Sequence, residues 1–192
     1  MRKVHIERNT TETRISARLD IDGSGSYDIK TGSGFLDHML ELFTRHGRFD
    51  LKIECKGDTY IDDHHTVEDI GIVLGSAFQK ALGEKKGIVR YGSMMLPMDE
   101  ALILVALDFS GRSTLVYDLT LKEKVGNFDT ELVEEFFLAF VREAGLTLHI
   151  KQLSGMNSHH IIEGTFKGFA RALAQAIEVK YGEEIPSTKG VL

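Results

Sequence analysis

The 192-residue sequence predicts an α+β fold built from two copies of one half-domain, and three observations lead there. The motif His-His-x-x-Glu occurs at His64-His65-Thr66-Val67-Glu68 and returns at His159-His160-Ile161-Ile162-Glu163, each position shifted by 95. Leu19-Asp20-Ile21-Asp22-Gly23 is matched 88 positions later by Leu107-Asp108-Phe109-Ser110-Gly111. The apolar period also changes from two to 3.6 in the same order in each half.

In the first half, loose alternation over Thr13 to Leu19 predicts a half-buried strand. Asp22-Gly23-Ser24-Gly25-Ser26 is a turn into a second strand, Tyr27-Asp28-Ile29, and Thr31-Gly32-Ser33-Gly34 ends the hairpin. Phe35, Leu36, Met39, Leu40 and Phe43 carry helical spacing, so a helix is expected from Phe35 to about His46. Leu51 to Cys55 alternates again as a strand, and Gly57 to Asp63 is a polar, acidic loop. Val67, Ile70, Val73, Leu74, Ala77, Phe78 and Ala81 then form one apolar stripe on a helix over His64 to Leu82, closed by Gly83.

The second half repeats that order. Met98-Asp99-Glu100-Ala101 leads into a strand, Tyr117-Asp118-Leu119 echoes Tyr27-Asp28-Ile29 two residues further on, Glu131 to about Glu143 is the first helix, Leu146 to Ile150 a strand, and Ile161 to Val179 the long helix. Each half is therefore expected to be strand, strand, helix, strand, helix. A repeat of 95 is too long for a solenoid unit, typically about 20–50 residues, and fits a duplicated half-domain. The chain is expected to be a single domain over residues 1–192 with halves of about 1–88 and 89–192. Two sheets can then pack helix layer on helix layer or join edge to edge. Pro186-Ser187-Thr188-Lys189-Gly190 forms a polar tail.

Composition narrows the function. A net charge of −6 with no basic run beyond short pairs such as Lys85-Lys86 argues against a nucleic-acid surface. The longest apolar runs are too short to span a bilayer, and the first residues lack the apolar stretch of a signal peptide. One cysteine, Cys55, permits no intrachain disulfide and fits a reducing cytoplasm; in its strand it is a packed thiol.

The histidines carry the chemistry. His64 and Glu68 are four apart and His65 and Glu68 three apart, spacings that share one helix face and let an imidazole and a carboxylate meet one cation. Adjacent His64 and His65 differ by about 100° around the axis and so serve different ions most simply. If His159, His160 and Glu163 do the same, each of two metals takes ligands from both halves. Imidazole and carboxylate donors without thiolate point to Mn, Fe, Co or Zn. Asp62, Asp63 and Asp69 can orient the imidazoles or simply favour the helix N-terminus. His38, in Phe35-Leu36-Asp37-His38-Met39 on the preceding helix, is a further candidate ligand.

These blocks, with Arg8-Asn9-Thr10-Thr11-Glu12-Thr13 and Pro186-Ser187-Thr188-Lys189-Gly190-Val191, closely resemble the imidazoleglycerol-phosphate dehydratase family of histidine biosynthesis, over nearly the whole chain and in its monofunctional form. The resemblance implies a duplicated left-handed β-α-β fold related to the second domain of ribosomal protein S5. It also implies a 24-subunit homo-oligomer with active sites between subunits, and two manganese ions per site. One ion would take His38, His65, Glu68 and His159. The other would take His64, His160, Glu163 and Glu135, where many members have histidine.

The implied reaction takes water from imidazoleglycerol phosphate to give imidazoleacetol phosphate. The C2 hydrogen is not acidic, so a metal-bound imidazolate that expels the C3 hydroxyl through a diazafulvene-like intermediate offers a route. By resemblance Glu12 is the acid or base, and Arg90, Arg112, Lys167, Ser187 and Lys189 meet substrate and phosphate; His46, eight residues after His38 and so on nearly the same helix face, can contact substrate or shuttle a proton. A metal-dependent phosphoesterase and a non-catalytic metal-binding protein are the competing readings.

Overall fold

The computed structural model describes residues 2–192 and has two four-stranded sheets of matching order. In the first, β1 (Lys3–Asn9), β2 (Thr13–Asp20), β4 (Asp50–Gly57) and β3 (Tyr27–Lys30) lie side by side in that order. In the second, β5 (Tyr91–Met98), β6 (Ala101–Asp108), β10 (Thr147–Ser154) and β7 (Thr114–Asp118) take the same places. β3 and β4 are parallel and joined through helix α1 (Gly34–Gly47); β7 and β10 are parallel and joined through α3 (Leu132–Ala144). The remaining pairs are antiparallel. The long helices α2 (His64–Leu82) and α4 (Ser158–Ile177) follow β4 and β10. A two-stranded ribbon, β8 (Lys124–Val125) and β9 (Phe128–Asp129), precedes α3.

The helices meet face to face between the sheets, α1 against α4 and α2 against α3. This is the layered one of the two arrangements open to the sequence. The centre is aromatic: Phe43, Phe78, Phe137, Phe140 and Phe169 are fully buried and in mutual ring contact across the helix layer. α2 approaches α3 so closely that a Cβ at Gly75 would lie 2.5 Å from the Phe140 carbonyl oxygen, and one at Gly71 2.7 Å from that of Phe136.

Each half has one strand more than the pattern predicts, β1 and β5. Both are edge strands whose inward face is thin. In β1 the inward face carries only two apolar residues, Val4 and Ile6, with Arg8 beside them, while Lys3, His5 and Glu7 face out. β5 contains Gly92 and Pro97, which argue against a strand unless it lies at an edge, where Pro is tolerated. α2 spans the expected residues. α4 starts three residues earlier than expected because Asn157 caps it, its side chain accepting from the backbone N–H of His159 and His160. It also ends before Val179, which bridges to Ile88 instead.

Candidate metal centre

Both His-His pairs sit in the first turn of a long helix, where a polar side chain fixes the backbone. Asp62 accepts from the His64 N–H, and Asn157 caps the second pair. Neighbouring side chains leave the helix about 100° apart, and their ring centroids are 6.1 Å apart for His64 and His65 and 6.3 Å for His159 and His160. Every histidine of a pair therefore looks into a different space.

One group of donors closes among the described residues. A ring nitrogen of His38, one of His159 and a carboxylate oxygen of Glu163 all lie within 4.8 Å of one another. His159 Nε2 is 3.1 Å and His38 Nε2 3.7 Å from Glu163 Oε2. The contact of α1 with α4 produces this: His38 is on the first, and His159 and Glu163 are one turn apart on the second. Glu163 thus joins His38 and His159, whereas the resemblance allots it to the other ion with His160. The i,i+4 partner of Glu163 is His159, and their shared face is the one turned to α1. Burial pushes the Glu163 carboxyl up, but the hydrogen bond and charge of Lys167, with those of His159, more than offset it, so its pKa is lowered overall. Lys167 Nζ lies 2.5 Å from Glu163 Oε1. His38 and His159 line a cleft of about 880 Å³ whose walls include Phe35, Asp62, Asp63 and the β8–β9 ribbon.

His64, Glu68 and Glu135 hold the corresponding positions on α2 and α3 but do not gather as closely among the described residues. His65 and His160 face elsewhere, and each has its Nδ1 engaged by a carboxylate: Asp58 Oδ2 at 2.9 Å and Glu100 Oε2 at 2.7 Å. A carboxylate only accepts, so Nδ1 carries a proton in each case, and in the neutral ring Nε2 is the nitrogen with a lone pair for another partner. These hydrogen bonds raise both imidazole pKa values.

Asp58 and Glu100 had no role in the sequence reading. Of Asp62, Asp63 and Asp69, expected to orient the imidazoles or to favour the helix N-terminus, Asp62 does the latter and the other two bind elsewhere. Asp62 holds the His64 N–H, Asp63 accepts from Ser33 Oγ, and Asp69 binds Arg8 and Thr13, tying β1 and β2 to α2. The signal for Glu100 lay in the repeat, since it stands 88 positions after Glu12, each immediately before the matched strands β6 and β2. Asp58 had no such marker.

Glu12 is exposed, with Oε1 3.6 Å from His65 Nε2. His46 lies on α1; burial lowers its pKa, helped by the nearby charges of Lys167 and Arg171. Lys167 is close to the cluster through Glu163. The other anion candidates are not. Arg90 donates its backbone N–H to Ala176 at the far end of α4, and its guanidinium is divided between Asp108 and the Pro186 carbonyl. Arg112 is exposed beside Asp108, and Ser187 and Lys189 follow Pro186 in the tail. Arg90 is only 14% exposed at its side chain, so it is largely withdrawn from solvent.

Comparison with known proteins agrees with this fold. The imidazoleglycerol-phosphate dehydratase family profile matches residues 31–173. The chain is 59% identical to the imidazoleglycerol-phosphate dehydratase of Caldanaerobacter subterraneus subsp. tengcongensis, with all of both chains covered. It is 56% identical to that of Prochlorococcus marinus subsp. pastoris, covering all of this chain and 97% of the relative. Among solved structures, the Staphylococcus aureus enzyme superposes with a TM-score of 0.84 at 47% identity, over 93% of this chain and 99% of the other. The Pyrococcus furiosus enzyme gives 0.85 at 39% identity, over 97% and 100%. With a family profile covering most of the chain and full-length relatives above half identity, the protein belongs to the imidazoleglycerol-phosphate dehydratase family.

Proposed function

We propose that this chain removes water from imidazoleglycerol phosphate to give imidazoleacetol phosphate, a step of histidine biosynthesis, with two manganese ions per active site. Membership of the family makes it a hydro-lyase; the metal, the mechanism and the residue roles are our reading. The observation that carries this reading is the convergence of His38, His159 and Glu163. Two imidazoles and a carboxylate without thiolate suit manganese, and the three already face one point from two packed helices. His64, His65, Glu68, Glu135 and His160 are proposed to supply the remaining ligands. Bound there, manganese would supply the Lewis acidity that stabilises a deprotonated imidazole ring in the substrate and so eases loss of the adjacent hydroxyl.

The chain's own residues supply the proton transfers. Glu12, exposed beside His65 Nε2, is placed to exchange a proton with water or substrate. His46 has its pKa lowered by burial and is therefore neutral near pH 7, so it can accept a proton. Glu68 and Glu163 hold negative charge against the metals. Lys167, Arg90, Arg112, Ser187 and Lys189 receive the phosphate.

Within that group, the arginines and the tail support assembly. Arg90 and the tail lie beside Ala176, 16 residues beyond His160 on α4, which at 1.5 Å per residue is about 24 Å away. A substrate of one ring, three carbons and a phosphate does not reach across that distance. One copy would therefore bring the metal ligands and another the arginines and tail, in a 24-subunit homo-oligomer with sites at subunit interfaces. We read residues 1–192 as one dehydratase domain of two halves. A single cysteine, which permits no intrachain disulfide, suits a reducing cytoplasm; it is buried, with its pKa pushed up to about 11 by burial. No helix among the described residues is long and apolar enough to cross a membrane.

Manganese-loaded protein incubated with imidazoleglycerol phosphate tests the reading. Ketone formation without phosphate release is expected. Free phosphate would point to a phosphoesterase instead, and no turnover to a metal-binding module.

A further inference from the structure

The duplication gives each half an equivalent carboxylate, and the two are held differently. Glu12 precedes β2 and Glu100 precedes β6 at the same register, since Lys3 pairs with Asp20 in the first sheet as Tyr91 pairs with Asp108 in the second. Each stands beside the second histidine of the pair in its own half, His65 or His160. Glu12 stays 3.6 Å from the nearer ring nitrogen of its histidine, Nε2. Glu100 is fixed at both ends: Oε1 accepts the backbone N–H groups of Met156 at 3.2 Å and Asn157 at 2.9 Å, and Oε2 accepts from His160 Nδ1 at 2.7 Å. Asn157 in turn caps the turn that carries His159 and His160. Glu100 therefore ties the ring of His160 and the backbone beneath it to one strand end. In the first half the corresponding hold on His65 Nδ1 comes from Asp58.

We infer that Glu100 is the positioning residue of His160, locking its Nδ1–H so that Nε2 is presented as a metal ligand, and that the duplication has thereby separated a holding carboxylate, Glu100, from a free one, Glu12. The inference rests on His160 being a manganese ligand, as proposed above. A carboxylate that grips the non-ligating nitrogen fixes both tautomer and ring angle before any metal arrives. Glutamine cannot do the same. With the side-chain oxygen held by two backbone N–H groups, the amide NH2 would face Nδ1 and force the ring proton onto Nε2, the nitrogen the metal needs.

The test is manganese titration of the full-length protein followed by electron paramagnetic resonance, on wild type, Glu100→Gln, His160→Ala and the double variant. Metal-free melting curves serve as the control for folding. Glu100→Gln is expected to weaken one class of manganese site about 10–100-fold. In the His160→Ala background the same change should have no further effect, because Glu100 acts through that ring. Glu12→Gln is expected to lose turnover while its manganese affinity stays at the wild-type value. Wild-type manganese binding by Glu100→Gln would overturn the inference, as would losses that multiply in the double variant. Glu12→Gln weakening manganese as much as Glu100→Gln would overturn the separation of roles. If His160→Ala itself bound manganese like wild type, the ligand reading would fall and the inference with it; a normal Glu100→Gln beside a weakened His160→Ala would sink the inference alone.

Discussion

Replacing Glu163 with alanine should destabilise the metal-free protein, and the neighbouring lysine is the reason. Lys167 Nζ lies 2.5 Å from Glu163 Oε1, with the two side chains only 16% and 10% exposed; its other close contact is the Met98 sulfur at 3.7 Å. Removing the carboxylate leaves an ammonium desolvated with no anion beside it. Breaking a buried pair in this way costs about 3–5 kcal/mol. Residual solvent access at Lys167 argues for the lower end, about 3 kcal/mol, which for a chain of this size lowers the melting temperature by roughly 6–12 °C. Changing Lys167 to methionine as well removes the stranded charge and should return stability to within about 1 kcal/mol of wild type. The double variant should still bind manganese poorly at this cluster, so stability and metal binding separate. The assay is thermal unfolding in chelator at one fixed protein concentration, since any association contributes to the midpoint. A double variant less stable than Glu163→Ala, or a single variant melting with wild type, would refute the reasoning.

Three further outcomes follow from other parts of the molecule. Gly75→Ala places a methyl 2.5 Å from the Phe140 carbonyl oxygen and 2.8 Å from Glu143 Cβ; overpacking of about 1–3 kcal/mol should exceed the helix-propensity gain of about 1 kcal/mol, so a lowered melting temperature is expected and an unchanged one would contradict the close helix approach. Backbone N–H groups of Ser24 and Ser26, with further bonds from the Ser24 hydroxyl and Gly25, hold the Asp50 carboxyl below its usual 3.8, so its contribution is present above that pH and is lost as pH falls through the folded value. In urea unfolding, the gap between wild type and Asp50→Asn should therefore narrow below about pH 4; a gap that widened in acid would reverse the sign. Glu135→Ala should lower occupancy of one manganese only, read by metal analysis of gel-filtered protein, and full occupancy of both would remove Glu135 from the ligand set.

Much of this was legible because the sequence repeats itself. His64-His65 and His159-His160 with a glutamate one turn on were visible as helix-start motifs, and the strong apolar stripe of α2 fixed that helix from end to end. The edge strands β1 and β5 were not legible. An edge strand needs few apolar residues, and Pro97 is a signal against a strand until a sheet edge accommodates it. The ribbon β8–β9, two residues per strand, is too short to have a period. In the site, spacing alone left Glu163 between His159 and His160, which both lie within one turn; the packing of α1 on α4 brings His38 to the face that His159 and Glu163 share. Asp58 and Glu100 come from loops that only the fold carries to the histidines. Arg90 shows the opposite limit. Its motif resemblance to a phosphate contact gave no hint that, within one chain, it sits at the other end of α4 with its guanidinium already bound to Asp108.

Anomalous diffraction at the manganese edge, from crystals of the metal-loaded protein, tests the central claim most directly. A peak between His38 Nε2, His159 Nε2 and the Glu163 carboxylate is expected, with a second ion on ligands that include His64, Glu68 and Glu135. A loaded crystal with no peak at the His38–His159–Glu163 cluster would contradict it.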